Sequence, residues 1–130
     1  IKVRNDVPDA PVLVTAGGLL HYFEENKVIS LLRMIGQSGN MEVVFDTVNK
    51  KGMAMMQKKY MKQVGHADAQ MFFYVDAAKE LAAKIRGNVK VIAEEPYYRY
   101  IPKNGLKLST KVSMAVSDQF KMVKMIHLKL

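Results

Sequence analysis

Two short stretches carry residues whose types and positions suit a ligand site. In VLVTAGGLLHYF, residues 12–23, an apolar run stops at Gly17 and Gly18 and is followed at once by His21 and Tyr22. In MEVVFD, residues 41–46, a second apolar run closes on the carboxylate of Asp46. Glycine after a strand lets a ligand approach the backbone closely and permits dihedral angles that other residues avoid. An imidazole titrates near neutrality, so His21 could exchange a proton with a bound ligand. Tyr22 offers a ring as a pocket wall. Each residue has a plainer reading as well. A double glycine serves a tight strand-to-helix turn, a lone histidine often bonds nearby backbone, and a carboxylate at a strand end can cap the next segment.

The surrounding elements predict an open α/β sheet. Residues 1–10 and Pro11 read as an entry loop, because Pro8 and Pro11 remove backbone donors and restrict their neighbours. Val12 to Thr15 form a continuous apolar run of the kind buried on both faces of a parallel sheet. Glu24 and Glu25 place negative charge where a helix begins, and Val28, Leu31, Leu32 and Ile35 recur at helical spacing up to Gly36 or Gly39. Met41 to Asp46 then complete a strand, helix, strand unit, with the two strands expected to be parallel. Residues 52–64 read as a helix on which Met53, Met56, Tyr60 and Val64 share a side. Methionines there could line an adaptable acceptor pocket or simply fill a core. Ala77 to Arg86 reads as a helix with Asp76 as N-cap, Val89 to Ala93 as a third strand, residues 106–120 as a helix, and Met122 to Leu130 as a last, alternating strand.

Composition bounds the rest. A chain of 130 residues, 49% of them apolar, suits one domain spanning 1–130. With no cysteine, disulfides, thiolate nucleophiles and zinc-thiolate sites are excluded, and a reducing cytoplasm fits. The apolar runs are too short to span a bilayer. The net charge of +8 is spread over lysines from Lys50 to Lys129, Lys124 among them, and reads as a solvated basic surface. No arginine cluster or aromatic platform indicates nucleic acid. His66 and His127 have no metal-ligand spacing, so no metal site is expected. Glycines stand at 17, 18, 36, 39, 52, 65, 87 and 105, from which neither GxGxxG nor a P-loop can be drawn. A nucleotide-binding sheet would need that unit elsewhere. The chain also starts at Ile1, so the start of the gene product is expected upstream.

VLVTAGGLLHYFEENKVISLL, MEVVFDTVNKKG, MFFYVD, VKVIAEEPYYRYIP and the terminal KMVKMIHLKL together resemble the C-terminal half of a class I S-adenosylmethionine-dependent methyltransferase. The resemblance is to the leucine carboxyl methyltransferase family, and within it to the tetracenomycin-type polyketide O-methyltransferases. Many relatives of that broader family carry glutamate where Gly17 stands, so a carboxylate contact to the cofactor from that position does not carry over. The resemblance implies a Rossmann-like seven-stranded sheet, mostly parallel, of which this chain holds the last four strands. Val12 to Thr15 and Val43 to Asp46 would be the fourth and fifth. Val89 to Ala93 and Val123 to Leu128 would be the sixth and seventh, an antiparallel edge pair. The first three strands, with the glycine-rich cofactor loop, would precede Ile1.

On that resemblance, Ala16, Gly17 and Gly18 would contact S-adenosylmethionine through backbone, and His21 would orient or deprotonate the acceptor. Tyr22, Asp46, Met56 and Tyr60 would line the site of a small-molecule or polyketide-like acceptor. The expected function is O-methyl transfer by the full-length protein, with this portion inactive alone. The missing half, or a second copy, would complete it. The competing expectation is a non-catalytic interaction module that associates, for example as a homo-oligomer, through an exposed sheet edge at Val12 to Thr15.

Overall fold

The computed structural model describes residues 10–64, 71–98, 104–119 and 122–130. Four strands, β1 (Val12–Ala16), β2 (Met41–Val48), β3 (Lys90–Pro96) and β4 (Val123–Lys129), form one mixed sheet in the order β1-β2-β4-β3. β1 and β2 are parallel, while β4 runs antiparallel to both β2 and β3. The expected antiparallel pair therefore lies at one edge, with the last strand inserted inside the sheet. Helices α1 (Glu25–Gly36), α2 (Lys50–Val64), α3 (Ala78–Ile85) and α4 (Leu108–Gln119) complete the fold, with a short 3₁₀ turn, η1 (Leu20–Tyr22), after β1.

The core forms on one face of the sheet. Val43 and Phe45 of β2 and Ile126 and Leu128 of β4 meet Val28 and Leu32 of α1 and Leu81 and Ile85 of α3. The stripe expected on the first helix is thus what docks it. Arg33 ties the two helices together: its Nε donates to the Ile85 carbonyl at 2.8 Å and its Nη2 to the Lys84 carbonyl at 2.7 Å, satisfying the C-terminal end of α3. Residues 71–76, for which no element was expected, run extended beside the core. Met71, Phe73 and Val75 are buried, and Phe72 and Tyr74 are exposed.

Two expectations change at the helix ends. Asp76 does not cap α3: its Oδ1 accepts the Lys50 amide at 2.9 Å, at the start of α2. The Ala78 amide at the start of α3 donates instead to Glu94 Oε2, reaching across from β3. Lys124 also departs from the solvated surface expected for the lysines. It is 1% exposed, its Nζ donates to the Asp76 carbonyl at 2.8 Å and lies 3.7 Å from Glu94 Oε1. A buried ammonium needs such partners, because desolvation would otherwise drive it to lose its charge. The three residues bind the starts of two helices to the inner and edge strands.

The second face is covered at one end. There α4 packs against β3 and β4 and meets α2 across an apolar groove lined by Met55, Met56, Val112, Val116 and Val123. Leu13, Thr15, Glu42, Val44 and His127 share this face. Leu13 is 57% exposed, and His127 Nε2 pairs with Glu42 Oε1 at 2.8 Å.

Candidate functional site

The parallel pair β1 and β2 ends in a crevice of about 500 Å³, open to solvent on the second face of the sheet. Ala16, Gly17 and Gly18 form one wall and Asp46 another; Thr15, Val44, Tyr97 and Met125 complete it. Alternation along each strand explains the set. Thr15, Val44, Asp46 and Met125 all point to the face opposite the core.

Only the second glycine of the pair has a conformational reason in the structure. Gly18 has φ +62°, in the left-handed region that glycine occupies without strain. A side chain added at Gly17 would meet no atom within 4 Å, so packing against the protein does not require glycine at that position. The turn is held by Asp46, whose Oδ1 accepts the Gly18 amide at 2.7 Å. Asp46 does not end its strand, since β2 runs on through Thr47 and Val48. Nor does it cap the next helix: Asn49 Oδ1 takes the Gly52 amide at 2.7 Å in that role.

His21 and Tyr22 keep their rings 4.4 Å apart but differ in exposure. Tyr22 is 42% exposed, while His21 is 8% exposed and does not line the crevice. Its carbonyl accepts the amides of Phe72 at 2.8 Å and Phe73 at 3.3 Å, which anchors the extended segment to η1. Burial lowers the pKa of His21 below its usual value of 6.5, and the nearby charge of Asp46 opposes that shift. The imidazole is therefore neutral at pH 7 and placed against the protein rather than toward solvent.

Met56 lies in the α2–α4 groove and away from the glycine turn. The side chain of Tyr60 and residues 65–70, with His66, fall outside the described residues. The structure thus brings together Ala16, Gly17, Gly18 and Asp46, and leaves His21, Tyr22 and Met56 apart from the crevice they form. Thr15, Val44, Tyr97 and Met125 were not assigned from the sequence. A period of two counted backward from Asp46 marks Val44, and the strand pairing supplies the others. Among the described residues no three of His, Asp and Glu gather as a metal site, and no helix is long and apolar enough to cross a membrane.

No protein-family model matches the sequence, and no curated protein matches it either. Among solved structures the chain is similar to a DUF574-family protein from Streptomyces avermitilis, with a TM-score of 0.60 and 9% sequence identity. The likeness takes in 94% of this chain and 45% of the other, so the chain spans less than half the length of the structure it matches. What the two share is the fold.

Proposed function

We propose that the chain is the C-terminal portion of an S-adenosylmethionine-dependent O-methyltransferase, and that the crevice at Gly17, Gly18 and Asp46 takes one side of the cofactor. The position of that crevice carries the reading. It opens at the carboxyl ends of two parallel strands, where open α/β sheets gather loops around their ligands. The sequence resemblance supplies the identity of the cofactor. Parallel strands are ordinarily covered on both faces, and the second face is open at Leu13, which fits a sheet that continues in further strands and helices. A fold likeness that uses nearly all of this chain and less than half of its neighbour fits the same view.

The residues present fit one side of such a cofactor. The backbone from Ala16 to Gly18 is bare of side-chain bulk, and the crevice holds one carboxylate. S-adenosylmethionine bound there supplies an electrophilic methyl group. Ala16 and Gly17 would touch it through backbone atoms, while Asp46, already engaged by the Gly18 amide, fixes the shape of the turn. His21, enclosed and outside the crevice lining, gives little support to a base that removes a hydroxyl proton. A carboxylate acceptor is nucleophilic at neutral pH and needs no base, so among the expected acceptors we favour a carboxylate. The chain's part is alignment and exclusion of water. The absence of cysteine suits a reducing compartment such as the cytoplasm.

Amide spectra recorded with S-adenosylhomocysteine test this reading. With much of the site contributed by strands outside this chain, binding in the millimolar range, about −4 kcal/mol, is expected, with the largest shifts at Gly17, Gly18 and Asp46. If those amides stay still up to the solubility limit while the chain is folded, the cofactor assignment fails.

A further inference from the structure

The groove between α2 and α4 shares no residue with the core or with the crevice at the glycine turn. Gly52 sets its floor. A Cβ at that position would run into the carbonyl oxygen of Met122, so glycine lets the first turn of α2 press against the chain entering β4. Asn49 holds that turn in place, its Oδ1 accepting the Gly52 amide at 2.7 Å and its carbonyl the Met53 amide at 2.9 Å. Met55 and Met56 of α2, Val112 and Val116 of α4, and Met122 and Val123 then surround a space of about 380 Å³. Among the described residues that line it, Ser113 brings the one polar side chain and none is charged. Met55, Val112 and Val116 are 61%, 54% and 44% exposed, so α2 and α4 do not bury these side chains against each other.

Size and charge select what the groove can take. A helix with its side chains is about 10–12 Å across, too wide for such a space, whereas small-molecule sites begin at roughly 300 Å³. α2 carries Lys50, Lys51, Lys58, Lys59 and Lys62 and no aspartate or glutamate. α4 adds Lys111 and one acid, Asp118. By helical spacing Lys58 and Lys51 stand about one turn after and before Met55 on its flank, and both are exposed. Lysine lays its methylenes along apolar surface while its ammonium stays in water, where it meets an anion.

We propose that the groove binds a soluble organic acid of amphiphilic build: its apolar body lies along the methionines and valines, and its carboxylate stays at the rim beside Lys58 and Lys51. Methionine's unbranched, polarizable side chain adapts to bodies of different outline, so the groove selects by polarity and charge more than by shape. The proposal does not rest on the methyltransferase reading, since none of its residues lines the crevice of Gly17, Gly18 and Asp46.

Decanoate, kept below the concentration at which it forms micelles, is the probe. In a chain with isotope-labelled methionine methyl groups, the signals of Met55, Met56 and Met122 should shift and saturate. Met34, 60% exposed on α1, should stay still. Decanol and decyltrimethylammonium, with the same apolar chain and no anionic head, should bind about tenfold more weakly. Val112→Glu, at an exposed position, should weaken decanoate binding about tenfold with the unfolding midpoint nearly unchanged. The unmodified chain decides the matter if that variant fails to fold. No saturable shift at the groove overturns the site, and signals that move instead with the concentration of the chain itself give the groove to a second copy. Equal binding of the three probes overturns the anionic head. Shifts at Met34 as large as those at Met55 mean indiscriminate adhesion and overturn the proposal.

Discussion

The two edges of the sheet are built differently. β3 slips register at a bulge between Val91 and Ala93, begins with Lys90 and ends with Glu94, Glu95 and Pro96. Bulges, charges and proline are devices by which sheet proteins stop an edge from templating a further strand. Behind it, Glu94 reaches back to the start of α3 and to the buried Lys124. β1 is five residues of regular, uncharged strand with exposed Leu13 on one face and Leu31 and Met34 beside the other. One edge is finished and the other is made to be joined.

Three perturbations probe that difference. The largest effect is expected on the finished side. Lys124→Ala removes a buried ammonium and leaves the Asp76 carbonyl and the Glu94 carboxylate without it. Because Glu94 keeps 22% exposure, the expected loss lies at the lower end for a broken buried pair, about 3 kcal/mol, read as a fall in the urea midpoint. Next comes a direct comparison of the edges. Leu13→Lys sets a charge in the uncharged strand β1 and should lower aggregation on refolding, read by light scattering, while leaving the unfolding midpoint nearly unchanged. Ile92→Lys, at the 49% exposed bulge residue of β3, should leave that scattering where it was. Equal effects from the two substitutions would erase the distinction between the edges.

The smallest effect belongs to His21, at the end of the open side. Burial lowers its folded pKa below 6.5, so the unfolded chain takes up the proton first as pH falls. The stability tied to the neutral imidazole is complete above pH 6.5 and is lost as pH falls through the folded value. The gap in melting temperature between the natural chain and His21→Gln should therefore shrink on acidification. A gap independent of pH would mean that the ring titrates as it does in water.

Much of the order was legible in the sequence. The helical stripe of Val28 and Leu32 and the alternation that buries Ile126 and Leu128 follow from local periodicity, which survives into the fold because these segments bury one face. The run from Val12 is a strand as expected, but with Leu13 57% exposed it is not buried on both faces. The glycine turn was legible at the end of its strand. Asp46 was read as closing the next strand, which in fact runs on to Val48, and the hydrogen bond between the two, spanning 28 residues, was not legible. What local pattern could not carry were long-range exchanges of partner. Asp76 stands two residues before α3 and yet takes the first amide of α2; Lys124 looks like any surface lysine until the Asp76 carbonyl and Glu94 meet it in the fold. His21 was read as a reactive group because histidine titrates near neutrality, whereas the fold buries it: its carbonyl holds the amides of Phe72 and Phe73, some fifty residues away, and its ring lies against Tyr22. Pairing of side chains across such distances is a property of the assembled sheet.

The place of β4 between β2 and β3 has a consequence during biosynthesis. β2 emerges from the ribosome by Val48, but its partner on that side begins only at Val123. At roughly 5–20 residues per second, the interval lasts several seconds. Throughout it the inner edge of β2, with Val43 and Phe45 on a face that is dry in the finished protein, waits in the open. The sheet cannot close on that side until Val123–Lys129 arrive.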